Sequence, residues 1–475
     1  MSSRRASLAL VLLSACLPEN PSQFTTSGAA DTAGSSGEPP TTGDPVSGLF
    51  ACASPPCKLV LVSQSLDDRI DIYDVTGAPS LRGRISLDLK PDPSGQQISG
   101  NLLDEPYELA LTATDLIVTV GHYPDTDQGS LLRFPLADFT DVPAGGSFTV
   151  DRYFKAGSFS AGVVDFAHGR REGIFLLPHP SGRLLVGVFA NDLKTTQWST
   201  PSSLLVLESD LAGEPGVVDL GGLDKPCIGA WRLDALDADV SRVAVACDGS
   251  ESVAVLTLPG DFATASLQDA AAGVSGCGVN LSSGPWTTQF VAPDGAGDLI
   301  AFQTQLLESP RLWRVSAECG AGKPSQEVAP GLEQVRLLRQ PVLLRPGAGD
   351  QARWLVASGP TDPGVVIVKG GAAPTMCGKV SGLELLDVAN APWALALDAT
   401  GEHLAIGAGP PSNPEIAEGR GQVLWAGLDL GKLDACEVTA TDVVDLNAGR
   451  FQVGAPETWV RAPNVVLIAE IGAAS

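Results

Sequence analysis

The sequence predicts an all-β fold built from repeats of short strands. Short segments that alternate apolar and polar side chains run through residues 49–475, separated by turns rich in Gly, Pro and Asp. No helical periodicity stands out among them. An internal repeat supports the same prediction, because PYELALTATDLIV at 106–118 matches PWALALDATGEHLAI at 392–406. Each of these segments has the pattern of a strand, a tight polar turn and a second strand.

The two-strand pattern recurs along the whole domain at a spacing of about 58 residues. Further copies lie at 173–189, 231–246, 286–302, 341–357 and 458–471. Most copies continue into a third strand, at 131–134, 204–208, 253–258, 312–316, 365–368 and 423–430. A weaker fourth strand leads into the next copy. Four antiparallel strands per repeat of this length are typical of a propeller blade. The sequence therefore predicts a seven-bladed β-propeller.

The two ends of the domain are predicted to close the ring together. The last copy, at 458–471, has the pattern of two strands only, whereas the domain opens with three strand patterns within 58–87. We expect opening strands to complete the last blade, so that N-terminal and C-terminal strands pair. The opening segment has the pattern of three strands, and only two are needed to complete the last blade. Eight blades therefore remain an alternative.

This repeat resembles that of the bacterial surface and periplasmic propellers of the YVTN and quinoprotein-like superfamily. The resemblance covers most of residues 57–472 and lies in the length and strand order of the repeat. The sequence contains neither a YVTN tetrapeptide nor a WD dipeptide. The resemblance therefore implies a fold and carries little information about function.

Residues 1–15 are predicted to be a signal peptide. Arg4 and Arg5 precede an apolar run from Ala6 to Leu13, which is shorter than the roughly 20 residues that span a bilayer. The run ends in LSAC at 13–16, which resembles the lipobox of bacterial lipoproteins. This resemblance implies that Cys16 is acylated and becomes the mature N-terminus. The alternative is an ordinary cleaved signal followed by an incidental cysteine.

Residues 16–48 are predicted to be a lipidated cysteine and a disordered tether. The segment is rich in Ser, Thr, Gly and Pro and cannot bury enough apolar surface to fold. The lipid is the expected contact with the membrane, because no other stretch approaches membrane length. Leu17, where an acidic residue would favour retention at the inner membrane, makes the outer membrane the expected location. Residues 49–475 form the propeller domain.

The charge excludes one class of function. The formal net charge is −25, with a pI near 4.4, and the acidic residues are scattered. A nucleic-acid-binding protein needs a basic face, so no nucleic-acid partner is predicted. The same self-repulsion leads us to expect a monomer.

The cysteines suggest disulfides in an oxidising compartment. Besides Cys16 there are eight, and none lies in a CxxC motif or has a histidine at zinc-ligand spacing. No metal and no cofactor are predicted. The expected local pairs are Cys52 with Cys57 and Cys227 with Cys247.

Three further cysteines follow the period of the repeat. Cys319, Cys377 and Cys436 are separated by about one repeat each and follow third strands. They should then occupy equivalent outer positions of neighbouring blades, too far apart for the Cα separation of about 7 Å or less that a disulfide requires. We therefore expect no bridge among these three, and Cys277 as the partner of Cys319.

The predicted binding face is the one that carries the long joins between second and third strands. These joins lie at 121–129, 190–203, 303–310, 357–364 and 407–422, and long loops on a rigid scaffold commonly form binding sites. Aromatic residues begin several first strands on this face: Tyr107, Trp231, Trp286 and Trp393, with Trp459 slightly offset. They could offer stacking surfaces to a sugar or planar ligand. The alternative is that each packs between neighbouring blades as part of the core.

A catalytic site finds little support in the sequence. Of the four histidines, only His122 lies in a long join on the binding face, so a hydrolase there would depend on His122 with Asp125 or Asp127 as general base. Asp125 and Asp127 resemble the acidic alternation of a calcium loop but lack its glycine and distal glutamate.

Three hypotheses about function follow from these observations. The first is a non-catalytic binding or scaffold propeller, anchored at the envelope and presenting its loop-rich face to a protein or glycan. The second is a propeller-type hydrolase or lactonase with a site on the channel axis. The third is a purely structural envelope lipoprotein.

The anchor can be tested directly. Replacing Cys16 with Ala removes the only thiol available for acylation at the lipobox, so the domain should move from the membrane fraction to the soluble envelope fraction. Fractionation and mass spectrometry of the mature N-terminus measure this. Wild-type protein that is already soluble and carries no acyl mass would contradict the lipoprotein assignment.

Overall fold

The computed structural model describes the domain in segments. They are residues 48–52, 55–64, 69–87, 104–112, 114–122, 129–143, 145–149, 172–189, 201–281, 287–305, 308–318, 323–325, 327–328, 331–335, 337–359, 362–387, 390–409, 421–448 and 463–472. The predicted signal peptide, Cys16 and nearly all of the predicted tether lie outside them. No helix in these segments is long and apolar enough to cross a membrane.

The regular secondary structure of the described residues consists almost entirely of β-strands. In chain order the first strands are β1 (Cys57–Gln64), β2 (Arg69–Asp74), β3 (Ser80–Ser86), β4 (Asp104–Leu111), β5 (Asp115–His122), β6 (Gly129–Pro135), β7 (Gly146–Thr149), β8 (Glu172–Pro178), β9 (Arg183–Phe189), β10 (Ser203–Glu208), β11 (Gly216–Asp219), β12 (Ala230–Ala235), β13 (Arg242–Cys247), β14 (Ser252–Thr257) and β15 (Ser275–Asn280). The others are β16 (Thr287–Pro293), β17 (Asp298–Gln305), β18 (Glu308–Ser316), β19 (Lys323–Ser325), β20 (Glu327–Val328), β21 (Leu337–Arg345), β22 (Arg353–Gly359), β23 (Gly364–Lys369), β24 (Thr375–Ser381), β25 (Ala391–Leu397), β26 (His403–Gly409), β27 (Gln422–Lys432), β28 (Glu437–Asp445) and β29 (Pro463–Ile471). A single short α-helix within these segments, α1 (Leu267–Ala272), lies between β14 and β15.

Most of these strands form antiparallel units in which chain neighbours are also sheet neighbours, whereas β7 and β20 pair in parallel with β3 and β24. We number the units by their strand order: unit 1 is β29-β1-β2-β3, unit 2 is β4-β5-β6, unit 3 is β8-β9-β10-β11, unit 4 is β12-β13-β14-β15, unit 5 is β16-β17-β18-β19, unit 6 is β21-β22-β23-β24 and unit 7 is β25-β26-β27-β28. The predicted first, second and third strands coincide with the strands of units 2 to 7. The fold is thus all-β and propeller-like, with repeated antiparallel units of three or four strands.

Each unit is buried on both faces, which explains why its central strands are nearly all apolar. On β22, Trp354 and Val356 pack towards unit 5, whereas the alternating Leu355 and Ala357 pack towards unit 7. A strand with two buried faces has no polar face. Alternate side chains of such a strand therefore face two different apolar clusters, rather than one cluster and solvent.

The apolar core of the described residues is divided into seven clusters, each between two units. Representative residues are Leu59 and Leu116 between units 1 and 2, Ile117 and Leu205 between units 2 and 3, Leu204 and Val243 between units 3 and 4, Val253 and Leu299 between units 4 and 5, Phe302 and Trp354 between units 5 and 6, Leu355 and Leu424 between units 6 and 7, and Val423 and Tyr73 between units 7 and 1. Every unit therefore has two neighbours, including the first and the last.

The chain ends meet in unit 1. Strand β29 pairs antiparallel with β1 along its length, from Cys57 opposite Ile471 to Gln64 opposite Pro463. We expected two C-terminal strands and two opening strands in this unit. Pro463–Ile471 is one of its strands, and the residues expected to form the other C-terminal strand lie outside the described residues. Strands β1, β2 and β3 supply the other three.

Two of the predicted disulfides are present. Cys52 is bonded to Cys57, next to the start of β1, and Cys227 is bonded to Cys247 in unit 4. Cys277 is also disulfide-bonded, and its partner lies outside the described residues. Since Cys319 lies outside them too, the bridge between these two stays a prediction.

The expectation that Cys377 and Cys436 do not pair is wrong. The two residues form a disulfide with a Cα–Cα distance of 5.8 Å. They do not occupy equivalent positions, because Cys377 lies on the fourth strand of unit 6 and Cys436 precedes the fourth strand of unit 7. These outer strands also approach each other, since β24 pairs in parallel with β28. The approach is so close that a Cβ on Gly378 would lie 2.2 Å from the carbonyl oxygen of Cys436.

The pairing of β29 with β1 can be tested by deletion. Removing residues 456–475 takes away β29 and leaves β1 and two core clusters open, so the protein should lose cooperative folding. Removing residues 20–45 shortens the predicted tether and should leave the unfolding midpoint unchanged. Circular dichroism during chemical denaturation measures both. If the two deletions were equally well tolerated, the stabilising role of this pairing would be refuted.

Candidate functional site

The first strand of every unit carries a β-bulge at a comparable position. One extra residue interrupts the pairing of the first strand with the second, close to the end at which the first strand begins. The extra residues are Tyr107, Ile174, Trp231, Gln289, Gln340, Trp393 and Asn464. We call this end of the units the bulged end and the opposite end, where first and second strands are joined, the turn end. Bulges redirect side chains and are common beside binding and active sites.

Three of the four predicted aromatic residues are bulge residues. Tyr107, Trp231 and Trp393 occupy the equivalent position in units 2, 4 and 7. The fourth, Trp286, lies outside the described residues, directly before β16, and the pairing of Thr288 with Gln303 places the bulge of unit 5 at Gln289. The sequence prediction was based on the recurrence of aromatic residues, whereas the position of a bulge is set by the pairing of the strands.

These aromatic rings are half-buried and are in contact with other side chains. The rings of Trp231 and Phe175 are 6.0 Å apart, and Tyr107 packs against the same core cluster between units 3 and 4. The guanidinium of Arg339 lies 3.2 Å from the centre of the Trp393 ring. Part of each ring therefore contributes to packing, as the alternative interpretation expected, and part remains accessible at the bulged end.

An ion pair bridges three units at the positions that follow the bulges. Glu108, Phe175 and Arg232 are equivalent residues of units 2, 3 and 4. Arg232 Nη1 lies 2.6 Å from Glu108 Oε2, and its guanidinium lies 5.5 Å from the centre of the Phe175 ring. The pair thus crosses over unit 3 with its charge held above an aromatic face. Neither residue was singled out in the sequence, because nothing in the chain marks positions 124 residues apart as neighbours.

A third charged group belongs to the same cluster. Asp234 Oδ2 lies 3.6 Å from Arg232 Nε. Burial raises the pKa of Asp234 to about 6, although Arg232 opposes the shift. Burial also raises the pKa of Glu108, again against the effect of Arg232. Two carboxyl groups therefore share one guanidinium, and Asp234 is poised to exchange a proton near neutral pH.

Buried amide and hydroxyl groups accumulate at the bulged end. In unit 5, the side-chain amide of Gln303 donates to Thr288 Oγ1 at 3.0 Å and accepts from the indole nitrogen of Trp313 at 2.8 Å. Gln64, at the same end of unit 1, is fully buried. Such groups fix the orientation of a polar ligand when a site forms above them.

The turn end is different in character. Asp398 Oδ2 accepts hydrogen bonds from Lys58 Nζ at 2.7 Å and from His403 Nδ1 at 2.8 Å, which ties unit 7 to unit 1. The ring of His403 stacks on Trp425. Burial alone would raise the pKa of Asp398, but the hydrogen bonds from Lys58 and His403 hold it well below its usual range. This cluster stabilises the junction of the chain ends.

The other predicted site residues are not placed together. His122 ends β5 at the bulged end, and its side chain lies outside the description. Asp125 and Asp127 also lie outside the described residues. Within the segments described, no three His, Cys, Asp or Glu side chains are grouped closely enough to hold a metal ion.

Comparison with known proteins shows similarity in fold only. No family model and no curated protein matches the sequence. Among solved structures, a protein of Bacteroides fragilis provisionally assigned as a 6-phosphogluconolactonase aligns with a TM-score of 0.48 and 9% identity over 88% of this chain and 99% of its own. The Dos1 propeller aligns with a TM-score of 0.39 and 11% identity over 73% of each chain. A puromycin hydrolase mutant aligns with a TM-score of 0.43 and 14% identity over 87% of this chain and 57% of its own. Such similarity carries no information about activity.

The ion pair between Glu108 and Arg232 predicts a large mutational effect. Replacing Arg232 with Met leaves Glu108 buried without a counter-charge, which should lower the free energy of unfolding at pH 7 by about 3–5 kcal/mol. Adding Glu108→Gln should recover most of this loss, since the buried charge is then absent. Urea denaturation of the two variants measures both effects. A loss below about 1 kcal/mol in the single variant would show that the pair is solvated and does not organise the site.

Proposed function

We propose that this chain is a lipid-anchored protein of the cell envelope whose propeller binds a glycan at its bulged end and does not catalyse a reaction. A protein ligand at the same face is the alternative. The proposal rests above all on the repeated bulges, which place half-buried aromatic and amide side chains at one end of the first strands. A purely structural role would not require this arrangement to be confined to one end.

The proposed fold is a closed, seven-bladed β-propeller of the YVTN and quinoprotein-like type. The seven core clusters support it, since each lies between consecutive units and the last lies between units 7 and 1. The pairing of β29 with β1 supports closure by the chain ends. In such a ring the first strands surround the axis, so the bulge residues would line the mouth of a central channel.

The proposed anchor is compatible with a binding site at the bulged end. The tether would join the domain at Gly48, whose amide donates to Val142, and Leu49 is fully buried beside it. Cys52 and Cys57 lie at the start of β1, which is the turn end of unit 1. A tether that joins the domain at the turn end would leave the bulged end free of the segment that leads to the membrane.

The chemistry of the bulged end favours a polyhydroxyl ligand. Half-buried aromatic rings such as Trp231 and Trp393 offer apolar faces, and amides such as Gln289 both donate and accept hydrogen bonds. Arg232 is already neutralised by Glu108 and Asp234, so this cluster offers little to a strongly anionic ligand. The net charge of −25 also disfavours a strongly anionic ligand, because like charges repel.

A hydrolase is the second candidate, and one observation favours it. The pKa of Asp234, raised to about 6, would suit a general acid or base near neutral pH. In that case Asp234 would act beside Arg232, which would stabilise negative charge developing on the substrate.

The proposal can be tested with the Cys16→Ala protein and a panel of soluble envelope oligosaccharides, measured by calorimetry. Gln289→Ala should weaken binding about three- to tenfold, the usual effect of one lost hydrogen bond. Gln351→Ala is the matched control, because Gln351 is exposed at the turn end of unit 6 and should leave affinity unchanged.

Each outcome separates the hypotheses. Binding that is sensitive to Gln289 and insensitive to Gln351 supports a glycan-binding bulged end. Capture of one envelope protein with the same sensitivity, and no oligosaccharide binding, replaces the glycan with a protein ligand. Hydrolysis of a sugar or lactone that stops in Asp234→Asn overturns the non-catalytic proposal. The absence of every ligand would leave the structural role.

A further inference from the structure

Asp248 is a buried acid that the proposed binding function does not use. It begins a short 3-10 turn, Asp248–Ser250, which follows β13 at the bulged end of unit 4. The residue is 4% exposed, and neither of its carboxyl oxygens has a hydrogen-bond partner in the described structure. Burial therefore disfavours an ionised carboxylate in this position.

The Asp248 side chain lies at the seam between units 4 and 5. The turn contacts β12 and β16, and the amide of Gln289, the bulge residue of β16, is the polar group that acts on the carboxyl. Strand β16 contains no charged residue. The charged residues of β12 are Arg232 and Asp234, and neither contributes to the titration of Asp248. Among the described residues of β12 and β16, the seam therefore provides no counter-charge that acts on Asp248.

The backbone beside Asp248 cannot follow its side chain into water. Cys247 is bonded to Cys227, and the amides of Asp248 and Gly249 donate to the carbonyl oxygens of Gly229 and Ile228 at 2.8 and 2.9 Å. With the turn fixed to unit 4, a separation of the turn from β16 of unit 5 is the movement that would let water reach the carboxyl.

We infer that Asp248 is a proton-controlled switch of the seam between units 4 and 5, closed when the carboxyl is protonated and opened at the bulged end when it ionises. Burial raises the pKa of Asp248 to about 7, and the Gln289 amide only partly offsets this. Opening would separate Trp231 and Gln289, the two bulge residues on either side of the seam. The switch does not depend on whether the bulged end binds a ligand.

The direction of the pH effect follows from the raised pKa. The closed seam binds the proton more tightly than an open or unfolded one, in which the pKa of Asp248 returns towards 3.8. The stabilisation is therefore complete below that value and is lost as pH rises through about 7. Across the interval the equilibrium constant for opening should increase about tenfold per pH unit and then level off.

Hydrogen exchange at pH 5, 6, 7 and 8 tests the switch. After correction for intrinsic rates, amides of the Asp248–Ser250 turn and of β16 should lose about fiftyfold protection between pH 5 and pH 7 in the wild-type protein. Asp248→Asn has a neutral side chain of the same shape and should remove this dependence, leaving these amides more protected than wild type at pH 8.

Two controls isolate Asp248. Asp224→Asn changes an exposed acid of the segment leading into unit 4 and should behave as wild type. Asp234→Asn removes the other nearby carboxyl with a raised pKa and should keep the step near pH 7. If Asp248→Asn does not fold, titration of the wild-type carboxyl by carbon-13 NMR decides instead. A midpoint near 4, or wild-type protection that does not change with pH, would overturn the inference.

Discussion

Every sheet of this protein must be covered on both faces, and the remaining architecture depends on that requirement. Alternate side chains of a single strand, such as Trp354 and Leu355, belong to different core clusters. A unit at the end of an open row would expose one of these faces to water. The pairing of β29 with β1 avoids this exposure, because it makes the first and last parts of the chain one unit. The cluster formed by Lys58, Asp398 and His403 and the core around Tyr73 and Val423 hold that unit against unit 7.

Within these covered sheets, the first strands are the place where regular strand pairing is interrupted. Each is the edge strand of its sheet, with one side unpaired by any strand of its own unit. A bulge is tolerated there because it disturbs a single pairing, and in the described residues it recurs in every unit. The residues after the bulges are then close enough for Glu108 to reach Arg232 across Phe175. The candidate site is therefore built from positions that lie far apart in sequence and correspond to one another in the repeat.

The strand order of the units could be predicted from the sequence, because it depends on local periodicity and turn residues. Predicted third strands such as 204–208 and 365–368 coincide with β10 and β23. Contacts between units could not be predicted, since they depend on how closely outer strands approach. Cys377 and Cys436 show this: they were expected to be too far apart, but β24 and β28 pair and bring them together. The aromatic pattern found Tyr107, Trp231 and Trp393, but it missed Gln289, whose equivalence becomes apparent only from strand register. Asp248 could not be identified from the sequence, because its burial is a property of the folded seam.

The pKa values of the buried acids are shifted in opposite directions in two parts of the molecule. At the turn end, Asp237 and Asp398 are buried to a degree, but hydrogen bonds from Arg242 and Lys58 outweigh burial and lower their pKa values. Along the inner edges and at the bulged end, burial prevails and raises the pKa values of Glu108, Asp234 and Asp248. The first arrangement stabilises the folded chain at neutral pH, whereas the second destabilises it, because the folded state then favours protons that neutral solution removes. Groups that reduce stability in this way are concentrated where proteins bind or react. Two of these three acids, Glu108 and Asp248, lie beside bulges, so unfavourable burial and irregular strand pairing coincide there, whereas Asp234 lies nearer the turn end of β12.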